Sequence, residues 1–80
     1  MKIRTRDGRV FEGTALQIMQ GMQSTAFDAA SMSISEYIDW VAGNLERFEG
    51  VRVELVGPDD QARAEHLLHA MQAHGLCDAA

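Results

Sequence analysis

Apolar residues change their spacing several times along the chain, and each change marks an element. Two short strand-like runs flank Asp7-Gly8, a pair that signals a two-residue hairpin turn in which both residues take positive φ. That turn sets Arg6 opposite Arg9, Thr5 opposite Val10, Arg4 opposite Phe11 and Ile3 opposite Glu12. Because side chains alternate between faces, Ile3, Thr5 and Val10 then share the core face. Lys2, Arg4, Arg6, Arg9 and Phe11 share the other.

Gly13 ends the second strand. Thr14 and Gln17 have the spacing of a capping box, and Ala15, Ile18, Met19, Met22 and Ala26 follow at helical spacing. This first helix is expected to fray within residues 24–33, with Phe27 tucking the connection onto the core. A second helix is predicted from the Ser33/Glu36 capping box and the Met32/Tyr37 hydrophobic staple. Its apolar stripe runs through Ile34, Tyr37, Ile38, Val41, Leu45 and Phe48, and Gly50 supplies a left-handed stop.

Val51 to Leu55 alternates strictly and predicts the third strand, with Arg52 and Glu54 facing out. Pro58 is expected in the first turn of a third helix, with Asp59 and Asp60 at its positive end. Ala64, Leu67, Leu68 and Met71 line the buried side of that helix, Gly75 closes it and Leu76 folds back on it. The order β-β-α-α-β-α predicts a small two-layer α+β domain, a three-stranded mixed sheet with three helices on one face. The third strand is expected beside the first and parallel to it. Residues 1–76 form a single domain and 77–80 a flexible tail.

Length and composition add limits. Eighty residues with 46% hydrophobic content fit one globular domain of narrow stability margin. A single cysteine, Cys77, cannot cross-link the chain internally and suits a reducing compartment. No apolar run follows the charged start and none approaches the length of a membrane span, so a cytoplasmic location and no membrane contact are expected.

The net charge of −5 disfavours nucleic acid on average, but the charge is unevenly spread. Residues 1–12 carry a net +2 and residues 13–80 a net −7. Lys2, Arg4, Arg6 and Arg9, joined by Arg52 if the third strand lies in the sheet, would place five of the seven basic side chains on one surface around Phe11. Such a surface fits an acidic protein, or a polyanion with a base stacked on Phe11. It also fits a solvated outer face whose charged edges block strand pairing.

No catalytic site is legible. Phosphate-loop, dinucleotide and zinc-protease motifs are absent, and the glycines read as turn and cap residues. His66 and His69 point away from the Leu67/Leu68/Met71 stripe. His74 lies about 12 Å along the axis from His66, so one helix cannot bring the three to one ion. His74 with Cys77 would need ligands from elsewhere, and Asp78 gives that thiol nothing to lower its pKa. No metal or cofactor is therefore expected.

Trp40 lies about 110° from the centre of its helix's apolar stripe. It reads as the rim of the core or as an interface anchor. Leu16 occupies a similar boundary on the first helix, and exposure of both would favour a homodimer. The expected function is a small non-enzymatic protein-interaction or accessory module that self-associates or binds another protein. The alternative is a nucleic-acid-binding accessory protein using the basic hairpin face.

Overall fold

A computed structural model describes residues 1–80 with the exception of the Phe27 side chain, so the expected tuck of Phe27 lies outside the described residues. The elements are β1 (Lys2–Thr5), β2 (Val10–Glu12), α1 (Ala15–Thr25), a 3-10 turn (Phe27–Ala29), α2 (Ile34–Glu49), α3 (Asp60–Ala73) and β3 (Cys77–Ala79). The domain is α+β, but the order is β-β-α-α-α-β and the sheet is wholly antiparallel in the order β2-β1-β3.

The predicted third strand is corrected on both counts, position and direction. Residues 51–56 pair with no strand, although the alternation survives in their burial: Val51 is buried, Val53 and Leu55 are half-buried, and Arg52 and Glu54 are exposed. The segment is extended because it must retrace α2. Arg63, in the first turn of α3, donates to Ser35 Oγ at 2.7 Å and pairs with Asp39, both near the start of α2. The chain leaves α2 at Glu49 and must return about 18 Å along that helix at 1.5 Å per residue. Period-two burial thus reports an extended path over a core, not a ladder partner.

The strand that does complete the sheet lies where a tail was expected. Gly75 takes φ 72°, the Leu76 N–H donates to Met71 O at 2.8 Å, and both apolar side chains are buried. This six-to-one bond with its apolar contact reverses the chain at the end of α3. Cys77, Asp78 and Ala79 then pair with Thr5, Arg4 and Ile3, and the Ala80 N–H adds a bond to Lys2 O at 3.0 Å. β1 is consequently the central strand.

The hairpin register differs by one residue from the predicted one. Lys2 pairs with Glu12, Ile3 with Phe11 and Arg4 with Val10. Only Gly8 in the turn has positive φ, at 87°, so the mirror-image turn does not form. Instead Gly8 N–H donates to Thr5 O and Thr5 N–H to Arg9 O, a three-residue loop closed through a glycine bulge. The Asp7 carboxylate accepts from the Thr5 hydroxyl and the Arg9 N–H, which holds Asp7 in the turn and lowers its pKa. A one-residue shift exchanges faces. Phe11 turns inward beside Ile3, and Val10 faces solvent at 45% exposure. Gly21 in α1 admits the Phe11 ring: a Cβ there would lie 3.0 Å from Phe11 Cδ1.

The helix starts follow their local signals. Both capping boxes form, Thr14 with Gln17 and Ser33 with Glu36. At α3 the cap is Asp59, whose carboxylate accepts from Ala62 N–H at 2.9 Å, so Pro58 precedes the helix instead of opening it. Gly50 stops α2 at φ 68°. Ile18, Met19, Ile38, Leu67 and Leu68 fill the centre of the core with Ile3. α1 lies against β2 and α3 against β3, while α2 packs on α1 and α3 and reaches the hairpin turn through Arg6 and Glu49.

The Ser33 N–H and hydroxyl hold the Glu36 carboxylate below its ordinary pKa. A lowered folded-state value means the bond contributes above the unfolded-state pKa and is lost as pH falls through the folded one. Acid titration of stability is therefore expected to show a Glu36 component at the low-pH end. Glu36→Gln, which keeps the reciprocal bond, should remove that component, so that its stability falls less steeply than the wild type's at the low-pH end. Urea denaturation at stepped pH reads this out.

Candidate functional site

The basic residues of the hairpin do not form one uniform surface. Lys2 and Arg4 lie on the exposed face of the sheet, with Val10, Glu12 and Asp78. Glu12 stands across from Lys2, and Asp78 stands beside Arg4 on the other flank of β1. That face therefore alternates in sign. Arg9 Nε lies 3.3 Å from the Asp7 carboxylate, and Arg6 reaches Glu49 at 3.5 Å. Arg52 is exposed on the extended connection, outside the sheet. Phe11 is on the inward face, so it cannot stack a base among these cations.

Depressions border the sheet. An open groove of about 620 Å³ is lined by Gly13, Thr14, Gln17, Gln61, Glu65 and His69. It holds one carboxylate and one imidazole, four residues apart on the same helix. Gln61 serves structure there: its Oε1 accepts from Leu16 N–H at 2.9 Å and its Nε2 donates to Glu65 at 3.0 Å. A smaller hollow beside the hairpin lies between Arg9, Phe11, Thr25 and Tyr37.

The titratable groups of α3 and β3 stay apart. His66, His69 and His74 are exposed, and among the described residues no three His, Cys, Asp or Glu side chains converge. Cys77 is buried on the inner face of β3, not loose in a tail. Burial, then the neighbouring Asp78 carboxylate, pushes its thiol pKa up. A buried, protonated thiol is a poor nucleophile.

Arg63 makes the densest polar cluster. It bonds Ser35 and pairs with Asp39 and with Asp60, the last at 3.2 Å. A cation at two helix starts opposes both helix dipoles, and the two carboxylates offset that. The cluster ties α2 to α3.

The most distinctive surface is on α2. Trp40 is 38% exposed and Phe48 is 72% exposed. The Tyr37 and Trp40 ring centroids are 5.8 Å apart, and the Arg47 guanidinium lies 5.9 Å from the Phe48 ring centre. Phe48 belongs by spacing to the buried stripe, but its side chain is exposed, so the expected burial fails there. Leu16 is half-buried against the core, so the two boundary residues differ and only Trp40 is exposed. Sequence reading missed Phe48 because periodicity assigns a face and not whether another element reaches it.

Among the described residues, no helix is long and apolar enough to cross a membrane. No family model matches the chain, and no curated protein or solved structure matches it.

Proposed function

We propose that this chain is a small, non-enzymatic protein-interaction module of a reducing, cytoplasmic compartment, meeting its partner through the Trp40–Phe48 face of α2. The supporting observation is the pair of exposed aromatic side chains on one helix of a domain whose other aromatic rings with described burial, Phe11 and Tyr37, are packed inward. Exposed aromatics on a rigid helix are the usual anchors of protein interfaces, because they bury large area at low entropic cost. Differential capture tests this. Proteins retained by immobilised wild-type chain, its own copies included, should be lost with Trp40→Ala/Phe48→Ala. An identical retained set would contradict the reading.

Nucleic-acid binding through Lys2 and Arg4 is the second reading. Its support is that these two side chains make no ion pair among the described residues and lie on the exposed face of the sheet. Against it stand Glu12 and Asp78 on the same face and the inward turn of Phe11. Labelled single-stranded DNA and RNA should show no anisotropy change at moderate salt. Salt-sensitive binding abolished by Lys2→Gln/Arg4→Gln would reverse the ranking.

A further inference from the structure

Gly43 lies in the middle of α2, exposed, without a positive φ, and a Cβ at that position would meet nothing within 4 Å. Nothing inside the domain requires a glycine there. Mid-helix glycine weakens a helix relative to alanine, so the position carries a cost with no return within one copy. Glycine on an exposed helix face does permit close approach of a second backbone or a large side chain.

The residues around it are arranged symmetrically along the helix. Glu36, Trp40, Gly43 and Arg47 fall within about 60° of arc at 100° per residue, and all four are exposed. Glu36 and Arg47 are equidistant from a point between Val41 and Ala42, about 8 Å to either side. Trp40 and Gly43 are equidistant from the same point, about 2 Å to either side. A two-fold axis beside the helix, level with that point and perpendicular to it, sets each member of a pair opposite the other member in the second copy.

We infer that the partner of this face is a second copy of the same chain, with the two α2 helices antiparallel. This inference rests on the reading of α2 as the interaction face. Trp40 of each copy covers the open backbone at Gly43 of the other, and Glu36 of each meets Arg47 of the other. One Glu36 oxygen, Oε1, accepts from Ser33 N–H at 3.0 Å, which leaves Oε2 for the intermolecular pair. An isologous contact needs a surface complementary to itself. A bulky group set against an absent side chain, and an acid set against a base, provide that twice about one axis. Phe48 borders the contact at its C-terminal end.

Sedimentation velocity at physiological salt, where screening shortens the reach of the net charge of −5 to about 8 Å, tests the inference. Wild-type protein should show concentration-dependent dimerisation. Trp40→Ala should raise the dimer dissociation constant at least about tenfold by removing the anchor. Gly43→Leu should do the same by filling the site that receives Trp40. Gly43→Leu is the decisive variant because position 43 is exposed, a Cβ there meets nothing within 4 Å and leucine improves the helix, so circular dichroism and thermal unfolding should show an intact fold. A wild-type chain that stays monomeric up to millimolar concentration overturns the second-copy inference but leaves heterologous capture through Trp40 and Phe48 standing. A dimer that neither variant weakens places self-association on another face and overturns it equally.

Discussion

Removing Cys77–Ala80 is expected to destabilise the domain by about 3–5 kcal/mol, a large part of the total stability of a chain this size. Four C-terminal residues would ordinarily be dispensable. Here they carry the only strand on one side of β1, the buried Cys77 side chain and the Ala80 bond to Lys2 O. Their loss also leaves Leu76 as an exposed end above the core. Urea denaturation of the truncated chain should show a midpoint near zero denaturant or no cooperative transition. The paired control is Asp78→Ala, whose side chain is exposed on the outer face. It should change stability by no more than about 0.5 kcal/mol. Equal stability of the truncated and full chains would mean that the strand contributes nothing.

Phe11→Ala is expected to cost about 2–3 kcal/mol, while Val10→Thr stays within about 0.5 kcal/mol. The two hairpin registers predict opposite results for this pair. With a two-residue turn at Asp7-Gly8, Val10 would be in the core and Phe11 in solvent. With the three-residue loop, Phe11 packs against α1 at Gly21 and Val10 is open. The Phe11 estimate is below that for a fully buried ring because the side chain is half-buried. Equilibrium unfolding of both variants reads the register directly, and a larger cost at Val10 would reverse it.

The parts of the fold that sequence reading anticipates are those decided within a turn of helix. Thr14/Gln17, Ser33/Glu36 and the Gly75–Leu76 reversal need only residues a few positions apart. The α3 core positions Ala64, Leu67, Leu68 and Met71 are equally local, since helical spacing alone selects them. The features that escape are decided by distant partners. Val51–Leu55 has the alternation of a strand, but Arg63 fixes the start of α3 beside Ser35 and Asp39 and makes the segment a return path. Cys77–Ala79 has little strand character of its own and becomes a strand because the reversal at Gly75 delivers it to the free edge of β1. Gln23, whose side-chain amide donates to Ala29 O and Met32 O, orders a connection whose composition predicts only fraying.

The candidate surfaces divide in the same way. Counting charges places Lys2, Arg4, Arg6 and Arg9 together, and that much is local. The acids that dilute them depend on distant partners: register and β3 put Glu12 and Asp78 on the face of Lys2 and Arg4, and α2 brings Glu49 to Arg6. The angular position of Trp40 on its helix is legible, and the structure leaves its side chain 38% exposed. Gly43 is visible as a mid-helix glycine once α2 is drawn. Its meaning depends on knowing that the space above it is empty.

Trp40 is the only tryptophan in the chain, so its fluorescence reports on the proposed contact without labelling. As protein concentration rises through the micromolar and into the millimolar range, the emission maximum should move to shorter wavelength along a self-association curve. In Gly43→Leu it should remain at the monomer position over most of that range. An emission maximum that does not move with concentration in the wild-type chain would contradict the account of α2 as a surface that binds its own copy.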